Sequence, residues 1–151
     1  MVGATRNDLT GTPHDPALYI RLGNGDLVPA HRRNGPRYFF VLPDGPTHAV
    51  LQSRSALPAE IDGPFVDDRR QLGVCVRSAA LWTELRSTIL EIGTSGLPGW
   101  HHPEPFADCR WTNGQAGLTL PVLFQPTMLE VELSATVRYA ISLDLAQLLI
   151  S

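Results

Sequence analysis

The stretch GWHHPEPFADCRWTNGQA, residues 99–116, gathers two tryptophans, two adjacent histidines, a glutamate, a cysteine and an arginine. Two chemistries suit such a set. A metal centre would draw on His101, His102, Glu104, Asp108 and Cys109, but zinc needs three or four ligands converging at roughly 2.0–2.3 Å. On an extended backbone adjacent side chains point to opposite sides, so only one of the two histidines can join a given cluster. The H-H-x-E string also lacks the i, i+4 helical geometry of H-E-x-x-H. The sequence therefore predicts no metal and no cofactor.

The second chemistry is recognition of a sugar. Trp100 and Trp111 can stack on rings while His101, Glu104, Arg110 and Asn113 bond hydroxyls, and these six are the candidate ligand-binding residues. The competing reading makes the indoles core anchors, each burying on the order of 200 Å². Trp111, in a strand-like context before the TNG turn, fits the core reading better. Trp100, between Pro98 and Pro103, fits both.

Catalysis finds no constellation. VDDRRQ (66–71) places acids beside arginines, yet consecutive residues diverge on a strand, so Asp68, Arg69 and Arg70 read as a structural salt-bridge network. No G-x-S-x-G elbow is present, and GNG (23–25) reads as a hairpin turn rather than a phosphate loop. The expectation is a protein that is not an enzyme.

The elements that must carry these residues are short. Thirteen glycines and thirteen prolines punctuate the chain. Between them lie seven strand-like segments: 18–22, 37–42, 48–53, 71–82, 117–124, 128–134 and 137–142. In MLEVELS, Leu129, Val131 and Leu133 alternate with Glu130, Glu132 and Ser134, the pattern of a sheet with one wet face. Asn-Gly and Asp-Gly pairs supply hairpin turns. Two stretches have helix-like spacing: 81–92, whose β-formers equally allow it to continue as strand, and 142–150. The expected fold is all-β, an antiparallel, jelly-roll-like β-sandwich with at most one or two short helices. Its expected limits are a flexible segment 1–14, the sandwich 15–142 and a tail or short helix 143–151.

The composition agrees with a globular domain: 43% hydrophobic, 18% charged, 151 residues. A net charge of −3 argues against nucleic acid and anionic membrane as partners. The amino end lacks the basic and apolar regions of a secretory signal, and the apolar stretch near the carboxyl end is broken by Asp144 and Gln147. These features are read as a cytoplasmic or unassigned location without a membrane span. Cys75 and Cys109 are too few for a disulfide framework, and the simplest reading makes both small core side chains.

Several uncommon residues recur in a familiar order. SRSALPAE (Ser53, Arg54, Ser55, Pro58, Ala59, Glu60), then DDRRQLGV with Leu72, Gly73 and Val74, then Gly99, Trp100, His101, Glu104, Arg110, Trp111, Thr112, Gly114 and Ala116, and finally LEVELSATVRYA (129–140) together resemble a known arrangement. It is the region that follows the Hint (hedgehog/intein-like) autoprocessing domain in bacterial proteins. A looser likeness ties the GW…E…RWT element to β-sandwich portions of bacterial enzymes that build surface glycans. The resemblance implies an accessory sandwich and, from the second likeness, carbohydrate as ligand. It does not bring autoprocessing chemistry: that requires an amino-end nucleophilic cysteine and a Thr-x-x-His arrangement, and THAV (47–50) places its histidine directly after the threonine. The expected function is a non-catalytic accessory or binding module for a glycan. The alternative is a structural or oligomerising domain that binds a protein partner or its own copy.

Overall fold

In the computed structural model, residues 14–45, 47–57, 70–84, 86–93, 96–103, 108–137 and 139 are described. They form ten strands: β1 (Tyr19–Leu22), β2 (Leu27–Pro29), β3 (Arg32–Asn34), β4 (Arg37–Leu42), β5 (His48–Gln52), β6 (Val74–Trp82), β7 (Ser87–Leu90), β8 (Arg110–Trp111), β9 (Gln115–Thr119) and β10 (Thr127–Thr136). No helix occurs among the described residues. The smaller sheet runs β2-β1-β5-β9 and the larger runs β3-β4-β10-β6-β7, with β8 pairing β6 beside β7. All pairings are antiparallel.

The alternation that predicts strands also builds the core. Ile20 and Leu22, Ala49 and Leu51, and Ala116 and Leu118 come from the smaller sheet; Phe40, Leu42, Leu129, Val131 and Leu133 come from the larger. They interdigitate in one cluster, the arrangement of a β-sandwich. Glu130 and Glu132 lie on the opposite face of β10, as MLEVELS predicts.

Strand β6 breaks its own alternation. Val74 and Val76 face the core, then Arg77 is exposed and Ala79 and Leu81 take over the inward positions. The register against β10 slips at this point, between Glu132 and Leu133 and again before Ala135. A bulge inserts the extra residue and resets the phase.

The structure decides between alternatives or departs from the sequence reading in three places. The helix-like spacing over 81–92 belongs instead to the end of β6, a turn and β7, because Thr83 N–H bonds Arg86 O at 2.9 Å and closes a hairpin. The short edge strands β2 and β3 carry no apolar alternation, and the sequence reading misses them. The strand expected over 117–124 ends at Thr119; the Leu120 N–H still bonds Thr47 O, one step past the His48–Thr119 pair, and residues 121–124 are not strand. The expectations for 1–13 and for 140–151, the terminal helix included, lie outside the described residues.

Candidate functional site

The residues around the GWHH stretch are brought together, but chiefly to hold one another. Glycine at position 99 takes φ +89°, and a side chain there would collide with the Gln115 carbonyl, so only glycine lets this segment lie against β9. Gly117 N–H then donates to Pro98 O at 2.9 Å, and the Trp100 indole N–H donates to Gly117 O at 2.9 Å. Both outward backbone groups of Gly117 are thereby satisfied. Residues 98–100 cap the edge of the smaller sheet, which would otherwise offer a template for pairing. The half-buried Trp100 ring packs against the core cluster.

Arg110 acts as a clamp. Its Nε donates to His101 O at 2.6 Å and its Nη1 to Gly93 O at 2.7 Å, tying the segment to the end of the β7 strand region. Gly93 leaves room for the guanidinium, since a Cβ there would strike it. His101 is held through Nε2 to Gln71 O at 2.7 Å. A carbonyl oxygen only accepts, so Nε2 carries the proton. Asn113 Oδ1 accepts from Gln115 N–H at 2.9 Å in a local turn. Trp111 lies half-buried on β8, opposite Cys75. Glu104, Asp68 and Arg69 fall outside the described residues; Arg70 is half-buried.

Beneath these sits Thr112, 1% exposed. Its hydroxyl accepts from Val74 N–H and Gly114 N–H, both at 3.2 Å, and its backbone bonds Val74 O and Gly73 N–H. The sequence reading gave Thr112 no role in the site; the RWTNG string signals it only as a turn-flanking threonine. Tyr139, buried at 2% exposure, donates its hydroxyl to Gly73 O from the other side. Burial pushes the Tyr139 hydroxyl up to about 12.

The cysteines are also reassigned. Cys75 and Cys109 form a disulfide with Cα atoms 5.8 Å apart. Cys75 is buried, yet it belongs to the outward face of β6 rather than to the core cluster, because the bulge places Val74 and Val76 inward. The bond therefore fastens the GWHH segment to the outside of β6.

Near this segment lies a shallow polar depression of about 370 Å³ between Arg21, Val50, Pro98, Gly99, Asn113 and Gln115. Of the five described residues among the six singled out from the sequence, Asn113 alone lines it.

The outer face of the larger sheet offers a different surface. Register places Val41, Met128 and Trp82 side by side across β4, β10 and β6. The next row is Phe39, Glu130, Ala80 and Ile89. Trp82 is 46% exposed and Ile89 72%. Glu130 accepts from the Trp82 indole N–H at 2.8 Å and meets Arg37 Nε at 3.4 Å, which fixes the ring across the sheet. Beyond Thr83, a trough of about 380 Å³ runs between Leu81, Pro121, Val122 and Phe124. The third tryptophan, Trp82, was passed over in the sequence because it ends an apolar run that reads as core.

Among the described residues no helix is long and apolar enough to cross a membrane. Comparison with protein-family models, with curated proteins and with solved structures gives no match for this chain.

Proposed function

We propose that this chain is a non-catalytic β-sandwich binding module that engages a protein partner through the outer face of its larger sheet. The observation that carries the reading is the row Val41, Met128 and Trp82, with Ile89 beside it: apolar side chains laid across adjacent strands, Met128 half-buried and the other three exposed to water. Isolated exposed apolar residues need no explanation, but contiguous ones mark interaction surfaces. Tryptophan, methionine and arginine are the residues enriched at such interfaces. Holding the Trp82 ring by Glu130 lowers the entropy lost on docking. An accessory role also follows from the resemblance to the region after Hint domains.

The test places a photo-crosslinking amino acid at Val41 in the native cell. Covalent adducts to another chain are expected, and Trp82→Glu should abolish them. No adduct, or adducts indifferent to Trp82→Glu, would overturn the reading.

The glycan reading keeps one supporting observation, the polar depression beside Arg21, Asn113 and Gln115. A saturable shift of Trp100 fluorescence with a bacterial polysaccharide, lost in Asn113→Ala, would favour it. The internal bonds of Trp100, Arg110 and His101 weigh against it, since those groups are already satisfied.

A further inference from the structure

We propose that β7 is a docking edge at which a second copy of this chain pairs antiparallel, extending the larger sheet across a two-fold axis. The proposal goes beyond the protein-partner reading above: the contact lies at the edge of the larger sheet and leaves its outer face open to that partner.

The sheet edges are treated unequally. Residues 98–100 cover β9. Strand β2 ends in Pro29, which has no N–H to offer. Strand β3 carries Arg32 and Arg33, whose guanidinium groups lie over Phe39 and Tyr38. Charge, proline and a covering loop are the usual protections against edge pairing. Strand β7 reads Ser87, Thr88, Ile89, Leu90, with neither charge nor proline, and among the described residues no loop covers it.

The backbone of β7 is also set for pairing. Thr83 and Arg86 close the hairpin as a bonded pair. Bonded and non-bonded pairs alternate along an antiparallel ladder. Thr88 therefore bonds Leu81, whereas Ser87 opposite Trp82 and Ile89 opposite Ala80 turn their N–H and C=O groups away from β6. Among the described residues, nothing bonds these outward groups, and Ser87, Thr88 and Ile89 are all exposed.

A second copy suits this edge. With the axis at Thr88, Ser87 lies opposite the partner's Ile89 and Ile89 opposite the partner's Ser87, so each donor finds an acceptor and the contact closes. In this register Arg86 lies opposite the partner's Leu90, with the partner's Glu91 the next residue along, whereas a parallel copy in register would set Arg86 beside the partner's Arg86. Glu84, at the hairpin tip, belongs to the β6 side of the turn. Because Ile89 and Trp82 share the outer face, pairing joins two apolar surfaces into one.

Analytical ultracentrifugation of the full chain over a wide concentration range tests the idea. The expected mass is twice 16.5 kDa at high concentration. Ile89→Pro removes only an outward N–H, and Ile89→Lys places a charge on the edge; both should sediment at the single-chain mass with unchanged far-UV circular dichroism. Hydrogen exchange should show the Ser87 and Ile89 amides protected in concentrated protein and fast in dilute protein. A wild-type chain that stays at 16.5 kDa at every concentration overturns the proposal. So does a dimer that survives Ile89→Pro while Trp82→Glu breaks it, although that result leaves the outer face as the interface. Adducts at Val41 to a different protein, from a chain that is monomeric alone, would sink self-pairing and leave the binding-module reading standing.

Discussion

Replacing Cys75 and Cys109 together by alanine should cost about 4 kcal/mol of folding stability. The bond closes a span of 34 residues, and the chain-entropy relation for a loop of that length gives about 4 kcal/mol at 25 °C. In a chain of this size that corresponds to a fall in Tm of about 8–16 °C. The loop includes β7, the clamp at Gly93 and the segment that caps β9, so the cross-link limits how far this whole region can open when the sandwich unfolds. Alanine at both positions avoids leaving a buried thiol free to react. Urea unfolding followed by far-UV circular dichroism reads the difference, and the m-value should rise because the unfolded variant is less compact. A loss under about 1 kcal/mol would refute the reasoning. It would mean that the hydrogen bonds of Arg110 and Trp100 hold the segment without help.

Other outcomes follow from the same geometry. Gly99→Ala should destabilise by about 3 kcal/mol or more, since the residue holds φ +89° and its Cβ meets the Gln115 carbonyl; thermal unfolding measures it. Arg110→Met keeps the aliphatic stem but strands the carbonyls of His101 and Gly93, so a loss of about 3 kcal/mol is expected in urea. Stability should fall at alkaline pH: the Tyr139 hydroxyl ionises near 10 in the unfolded chain and about 12 in the folded one, so its contribution is whole below pH 10 and lost as pH rises toward 12. Tyr139→Phe should flatten that limb of the pH profile. Finally, disulfides persist in oxidising surroundings. Alkylation of protein taken directly from its native cells should find no free thiol; two free thiols would mean that the bond is not formed there.

Strands with strict alternation could be read from the sequence because burial on one face and water on the other write a period of two into the residues. MLEVELS and RYFFVL are the clear cases. Strand β7 could not be read this way. Leu85, Ile89 and Ile92 fall at helical spacing, and the turn between Thr83 and Arg86 contains neither glycine nor asparagine to announce a hairpin. Strand β6 hid its inward face behind the bulge at Arg77, which is why Cys75 read as core and its bond to Cys109 could not be foreseen. The surroundings of the candidate site were illegible for a related reason. Residue types alone do not reveal whether an indole N–H or a guanidinium is spent inside the protein, and Trp100 and Arg110 spend theirs on Gly117, His101 and Gly93. Trp82 drew no attention because its place at the end of an apolar run conceals that β6 turns it outward.

Parallel photo-crosslinking from two positions tests the central claim most directly. One probe replaces Val41, on the outer face of the larger sheet, and the other replaces Asn113, beside the polar depression. Adducts to protein from Val41 alone, lost in Trp82→Glu, are the result expected of a module that binds through its sheet face. Adducts from Asn113 with none from Val41 would contradict it and return the GWHH segment to the centre of the protein's function.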